Sequence, residues 1–152
     1  MREPRSDIAA LTVRRHPAGG TLIWFAADLD RCFARDENPE HALLIANAVR
    51  HGLGTTGKVS LSGGHGVITV DLYRQDDRHV LHLNNRLLLS RVPGRQYDLV
   101  PVGPVEVRLN IESSADKVDL RVAGVSIPTR RDGSALVFTI DTVLDHEVAV
   151  IG

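Results

Sequence analysis

The sequence predicts a mainly β protein: an antiparallel β-sandwich preceded by a strand–loop–helix segment of α/β character. Three observations predict it. From about Lys58 to Gly152, apolar and polar residues alternate at period two in short runs separated by turn residues. Before residue 55 that alternation gives way to one continuous apolar run and one helical pattern. The two parts therefore belong to different structural classes, which sets domain boundaries at 1–55 and 56–152.

In the first part, Thr21–Ala27 (TLIWFAA) is a continuous apolar run after Gly19-Gly20, as expected of a strand covered on both faces, with Trp24 in the core. Asn38-Pro39 starts a helix over 39–53, because Asn accepts from free N–H groups of the first turn and proline at N1 loses no hydrogen bond. Ala42, Ile45, Ala46, Val49 and Leu53 share one helical face, which Leu43 and Leu44 widen, so the helix is expected to be well buried. Gly52 and Gly54 are its candidate left-handed caps. One strand, one loop and one helix cannot close a domain, so this segment needs cover from elsewhere.

The second part alternates through Ile68, Val70 and Leu72, then Val105, Val107, Leu109 and Ile111. Val118, Leu120 and Val122 follow, then Leu136, Phe138 and Ile140, and Val148 and Val150 end the pattern. Turn chemistry divides the runs at Gly63-Gly64, Asp76-Asp77, Pro93-Gly94, Gly103-Pro104, Ala123-Gly124, Asp132-Gly133 and Asp145-His146. About seven short strands spaced in this way are a sandwich signature.

Composition excludes several classes. The 152 residues hold 18 Lys+Arg against 19 Asp+Glu, whereas general binding of nucleic acid or anionic membrane calls for a basic excess. The single cysteine, Cys32, excludes a disulfide framework and a cysteine-based zinc site within the chain. No apolar run approaches the ~18 residues of a membrane span. Met1–Asp7 is charged and is no secretory signal, so the expected location is cytoplasmic.

The order of the motifs TLIWFAADLDR, NPEHALLIANAVRHGL, VITVDLYRQDDRHVLHLNN, YDLVPVGPVEVRL and VLDHEVAVI resembles the C-terminal region of a group of large glycoside-hydrolase-like proteins. Those proteins have a (β/α)8 barrel, a β-galactosidase-type trimerisation domain resembling the class I amidotransferase fold, and a C-terminal β-domain. The resemblance runs from about Gly20 to Ile151. It implies that residues to about 54 are the last strand and helix of the trimerisation domain. It also implies that the barrel carrying the two catalytic carboxylates lies outside this chain, so no residue here inherits their roles, and that the amidotransferase-like domain is inactive. The chain departs from the family after His82-Leu83, where Asn84-Asn85 runs directly into Arg86-Leu87.

Among chemistry-bearing residues, Asp28 and Asp30 lie two apart at the end of the apolar run, where extended backbone points both to one side. A glycosidase needs two carboxylates ~5–10 Å apart. Arg31 beside them favours the ionised form, and the structural alternative is that they cap the following loop or pair with Arg31 and Arg35. His65 sits in a Gly-Gly-His-Gly turn without the nucleophile elbow that an esterase oxyanion loop requires. The seven histidines show no zincin spacing, and His79 and His82 fall on opposite faces of one strand, so no metal and no cofactor are expected. Cys32 lacks a neighbouring histidine and oxyanion donor, which makes it structural. Tyr73 and Tyr97 are the candidate sugar-stacking residues. These readings converge on a non-catalytic accessory or oligomerisation segment of a glycoside-hydrolase-like protein. It would join a second copy or a separately encoded catalytic subunit through helix 39–53. The alternatives are a small carbohydrate-binding β-sandwich module and a hydrolase centred on Asp28 and Asp30.

Overall fold

A computed structural model describes residues 7–36, 38–55, 57–87 and 98–152. Tyr97 and the Pro93-Gly94 turn lie outside the described residues. The chain divides into two units, one up to residue 56 and the other from Gly57 onward.

The first unit begins with a strand that the hydrophobic pattern did not reveal. β1 (Leu11–Arg15) pairs antiparallel with β2 (Thr21–Phe25), Leu11 opposite Phe25 and Arg15 opposite Thr21. Gly19 and Gly20, at φ 97 and 89, turn the chain back between them. The apolar run therefore belongs to a hairpin, not to a strand covered on both faces, and it ends at Phe25 instead of Ala27. Thr21, Ile23 and Phe25 are half-buried, whereas Leu22 and Trp24 point to the open face, and Trp24 is 55% exposed. Trp24 is thus not a core residue. A second unforeseen element, α1 (Leu29–Asp36), turns Leu29, Cys32 and Phe33 inward at i, i+3 and i+4.

α2 (Pro39–Leu53) forms where the sequence places it. The Asn38 side chain accepts from the N–H of Glu40 at 2.9 Å, and Gly54, at φ 65, donates its N–H to the Arg50 carbonyl. Gly52 stays inside the last turn and is no cap. The expected burial of this helix is not met within the chain: none of its residues is buried, and Leu43, Val49 and Leu53 are exposed.

The second unit is mainly β and antiparallel throughout. Its strands are β3 (Val59–Gly63), β4 (Ile68–Gln75), β5 (Arg78–Asn85), β6 (Val105–Leu109), β7 (Lys117–Leu120), β8 (Val125–Pro128), β9 (Arg130–Asp132), β10 (Ala135–Ile140) and β11 (His146–Ile151). One sheet runs β3-β6-β10-β9, the other β4-β5-β11-β7-β8. Leu81, Leu83, Val118, Ala149 and Ile151 from the second sheet meet Val105, Val107, Leu109, Leu136 and Ile140 from the first in one apolar core, a sandwich. The β4–β5 hairpin turns on Asp76 at φ 54, a backbone region that aspartate tolerates better than most residues. Gly124 and Gly133 close the β7–β8 and β9–β10 turns at φ 69 and 61.

Four valines depart from the simple alternation. Val122 lies past the end of β7 and is exposed, while Val137, expected to face outward, is buried. On β11 the core-facing set is Glu147, Ala149 and Ile151, and Val148 and Val150 take the half-buried outer face. Glu147 can occupy a core position because its carboxylate accepts the backbone N–H groups of Val122 (2.8 Å), Ala123 (3.0 Å) and Val148 (2.8 Å). Asn85, at the end of β5, performs a similar task with an amide. Its Nδ2 donates toward the carbonyls of Val100, Val143 and Leu144, and its Oδ1 accepts from Leu87 N–H.

Replacing Glu147 by Gln puts an amide donor against N–H groups, so Glu147→Gln is expected to destabilise the sandwich by about 1.5–3 kcal/mol in urea denaturation. Leu81→Ala, which removes a fully buried side chain, is expected to cost about 2–5 kcal/mol. A Glu147→Gln loss below about 0.5 kcal/mol, the range of an ordinary surface change, contradicts this account of the turn.

Candidate functional site

The first unit brings Asp28, Asp30 and Arg31 together at a helix start, not at a strand end. The Asp28 carbonyl accepts the N–H of Cys32 in the first turn of α1, and its carboxylate meets Arg31 Nε at 2.6 Å. Asp30 lies in the first turn, where a negative charge faces the positive end of the helix dipole. The Asp28 carboxyl is pushed above the ordinary carboxylate range, first by partial desolvation and then by its hydrogen bond to Asp30 and repulsion from it. Asp30 is held below the ordinary range, chiefly by accepting from the Arg31 backbone N–H and secondarily by its bond with Asp28. Asp30 therefore ionises first. Arg35, the other basic residue of the segment, pairs with Asp36 at 2.6 Å. Cys32 is half-buried with a free thiol.

The apolar surfaces of this unit are its other notable property. Leu22 and Trp24 crown the open hairpin face, and Leu43, Val49 and Leu53 stand out from α2. Nδ1 of His41, also on α2, is removed from water with no hydrogen-bond partner among the described residues. A covered face with satisfied polar atoms is the rule for a finished domain. This unit meets neither condition.

In the second unit the outer face of the five-stranded sheet gathers the functional groups. Register places Tyr73 opposite Val80, Val80 opposite Val150, Val150 opposite Asp119 and Asp119 opposite Ser126, one continuous row across five strands. Tyr73 is 58% exposed, and its ring meets the half-buried His82 edge-on, with centroids 5.6 Å apart at 89°. On the same face, Arg78, Lys117, Asp119 and Arg121 surround a recess of about 240 Å³ floored by Val150 and the backbone of Gly152. Ser126 Oγ donates to Asp119 at 2.5 Å, and Arg121 Nη2 stands 3.9 Å from the same carboxylate. Asp119 is held below the usual carboxylate range, chiefly by the Ser126 hydroxyl and then by Arg121, Lys117 and Arg78, with desolvation opposing them. Sequence reading missed this recess. Its members come from β5, β7 and β11, and only the non-sequential order β5-β11-β7 brings them together.

A larger cavity, about 580 Å³, runs between β8 and β10, lined by Leu120, Val125, Ile127, Phe138 and Ile140, with Arg130 and Asp141 among its polar residues. β9 pairs only with Ala135–Val137, so the second half of β10 keeps an unpaired edge beside it. Among the described residues, no three His, Cys, Asp or Glu side chains gather to hold a metal ion. His79 shares the face of Ile151 and His82 that of Val148, and His146 stands exposed with Nδ1 3.6 Å from Asp145. The Gly64–Gly66 segment is a single 3₁₀ turn leading into β4. No helix among the described residues is long and apolar enough to cross a membrane.

No family model matches the chain, and no curated protein matches it. Among solved structures it is similar to alpha-L-fucosidase isoenzyme 2 from Paenibacillus thiaminolyticus, with a TM-score of 0.69 and 21% sequence identity. The likeness covers 88% of this chain and 21% of that one. At that identity it shows a shared fold, and the chain spans about a fifth of the fucosidase.

In a carboxylate-resolved NMR titration, Asp28 is expected to take up its proton at higher pH than Asp30. Asp30→Asn should bring Asp28 down toward the ordinary value, and an unmoved Asp28 would show that the two do not interact.

Proposed function

We propose that this chain is a non-catalytic accessory and assembly segment of a glycoside-hydrolase-like protein. The first unit is the closing piece of an α/β, trimerisation-type domain, and the second is the β-domain appended to it. The observation that carries this reading is the first unit itself, a hairpin and two helices in which no described residue is buried. A two-stranded hairpin is marginal in water without a covered face. Here an apolar strand has cover on one face only and an apolar helix has no buried position. Such a segment is stable when a further layer covers Leu22, Trp24 and the Leu43 side of α2. The likeness in fold to part of a fucosidase chain supports the same reading, because there the matched region is a minor share of a glycoside hydrolase.

In this reading α2 is the surface through which the segment joins a second copy or a separately encoded catalytic barrel, and the chemistry resides outside these residues. Asp28 and Asp30 serve the start of α1, and Cys32 is a half-buried structural residue on the same helix.

Sedimentation at micromolar concentration tests the proposal. The chain is expected to be a dimer or larger, or to become stable only when a catalytic subunit is supplied. Leu43→Glu with Val49→Glu should shift the assembly toward monomer while leaving the sandwich folded. A well-behaved, monodisperse monomer unaffected by those changes overturns it.

A further inference from the structure

The outer face of the five-stranded sheet gathers cations around one acidic side chain. On the other sheet two cations have carboxylate partners: Arg108 pairs with Asp132, and Arg130 meets Glu106 at 2.9 Å. In the recess on the five-stranded sheet, Arg78, Lys117 and Arg121 face one acidic side chain, that of Asp119. Arg121 is that carboxylate's distant ion-pair partner, and among the described residues Arg78 and Lys117 make no ion pair. The Arg78 stem lies across the end of β11, where a Cβ on Gly152 would come within 2.9 Å of Arg78 Cγ. Arg78 and Lys117 line the same recess.

Cationic side chains in excess of acidic ones, on forked and point-like donors, suit a carboxylate. Asp119 narrows the choice. A phosphate dianion would bring oxygens against that carboxylate at close range, which repulsion opposes. A monoanion with a hydroxyl beside it offers Asp119 a donor. Tyr73 adds an apolar ring on the same face. It lies diagonal to Arg78, about 7–8 Å away along the pleat, and two strand spacings of ~4.8 Å from Val150. His82 stands edge-on against it and leaves most of the ring open.

We infer that this face binds an acidic saccharide. The sugar carboxylate sits among Arg78, Lys117 and Arg121, a neighbouring hydroxyl donates to Asp119, and an adjoining ring lies on Tyr73. The site goes beyond the assembly reading and does not depend on it, since all its residues belong to the sandwich unit.

Calorimetric titration of the full chain at low salt, with methyl glucuronoside, methyl glucoside and inorganic phosphate as separate probes, tests the inference. The glucuronoside should bind about tenfold or more tightly than either other probe, and added salt should weaken it. Arg78→Gln and Tyr73→Ala, both at exposed positions, should each weaken it about tenfold, while Thr69→Ala, at the far end of the same face, leaves it unchanged. Absence of glucuronoside binding overturns the inference, as does equal binding of the neutral glucoside. Phosphate binding as tight as that of the glucuronoside, indifferent to Tyr73→Ala, overturns it too and makes the recess a simple anion site.

Discussion

The sandwich depends on β11. This strand pairs with β5 on one side and β7 on the other, so the five-stranded sheet has no centre without it. Its first core-facing residue, Glu147, binds two N–H groups of the Val122–Ala123 turn and thereby fixes where β7 ends and β8 begins. A buried carboxylate is tolerable only where donors replace water, so strand and turn must be in place together. Asn85 extends the same logic beside the start of β11, tying β5 to the Val100 and Val143–Leu144 segments. Two polar side chains thus locate the loops around an otherwise aliphatic core.

The two units contrast in how completely they satisfy the hydrophobic effect. In the second, Leu81, Leu83, Val105, Val107, Leu109 and Leu136 are fully buried. In the first, the alternation along β2 puts apolar side chains on both faces of a hairpin while α2 offers cover to one. The uncovered surface and the orphaned His41 nitrogen both lie in this unit. This is why the functional reading rests on assembly and not on any group of catalytic residues.

Much of this was legible in the sequence where chemistry is local. Asn38-Pro39 and Gly54 mark the ends of α2 because capping is settled by residues within a turn of each other. The period-two runs around Val105–Leu109 and Leu136–Ile140 mark strands because pleating alone alternates faces. Where two local rules conflict, the pattern misleads. β1 escaped notice because Leu11, Val13 and the basic pair Arg14-Arg15 form only half an apolar strand. On β11 the visible valines suggested the wrong face, since a glutamate at a core position is understandable only once its N–H donors, some 25 residues away, are known.

The sequence by itself determined the class of the protein, the divide between its two parts, the α2 helix with its caps, and an apolar surplus before residue 55. Each follows from spacing and side-chain chemistry within a few residues. Only the tertiary structure decided that the apolar run folds back as a hairpin with Trp24 outward, and that Asp28 and Asp30 begin a helix. It also decided that Arg78, Lys117, Asp119 and Arg121 meet on one sheet face. Those outcomes depend on which distant strands pair, and pairing is chosen by the whole core and not by any one segment.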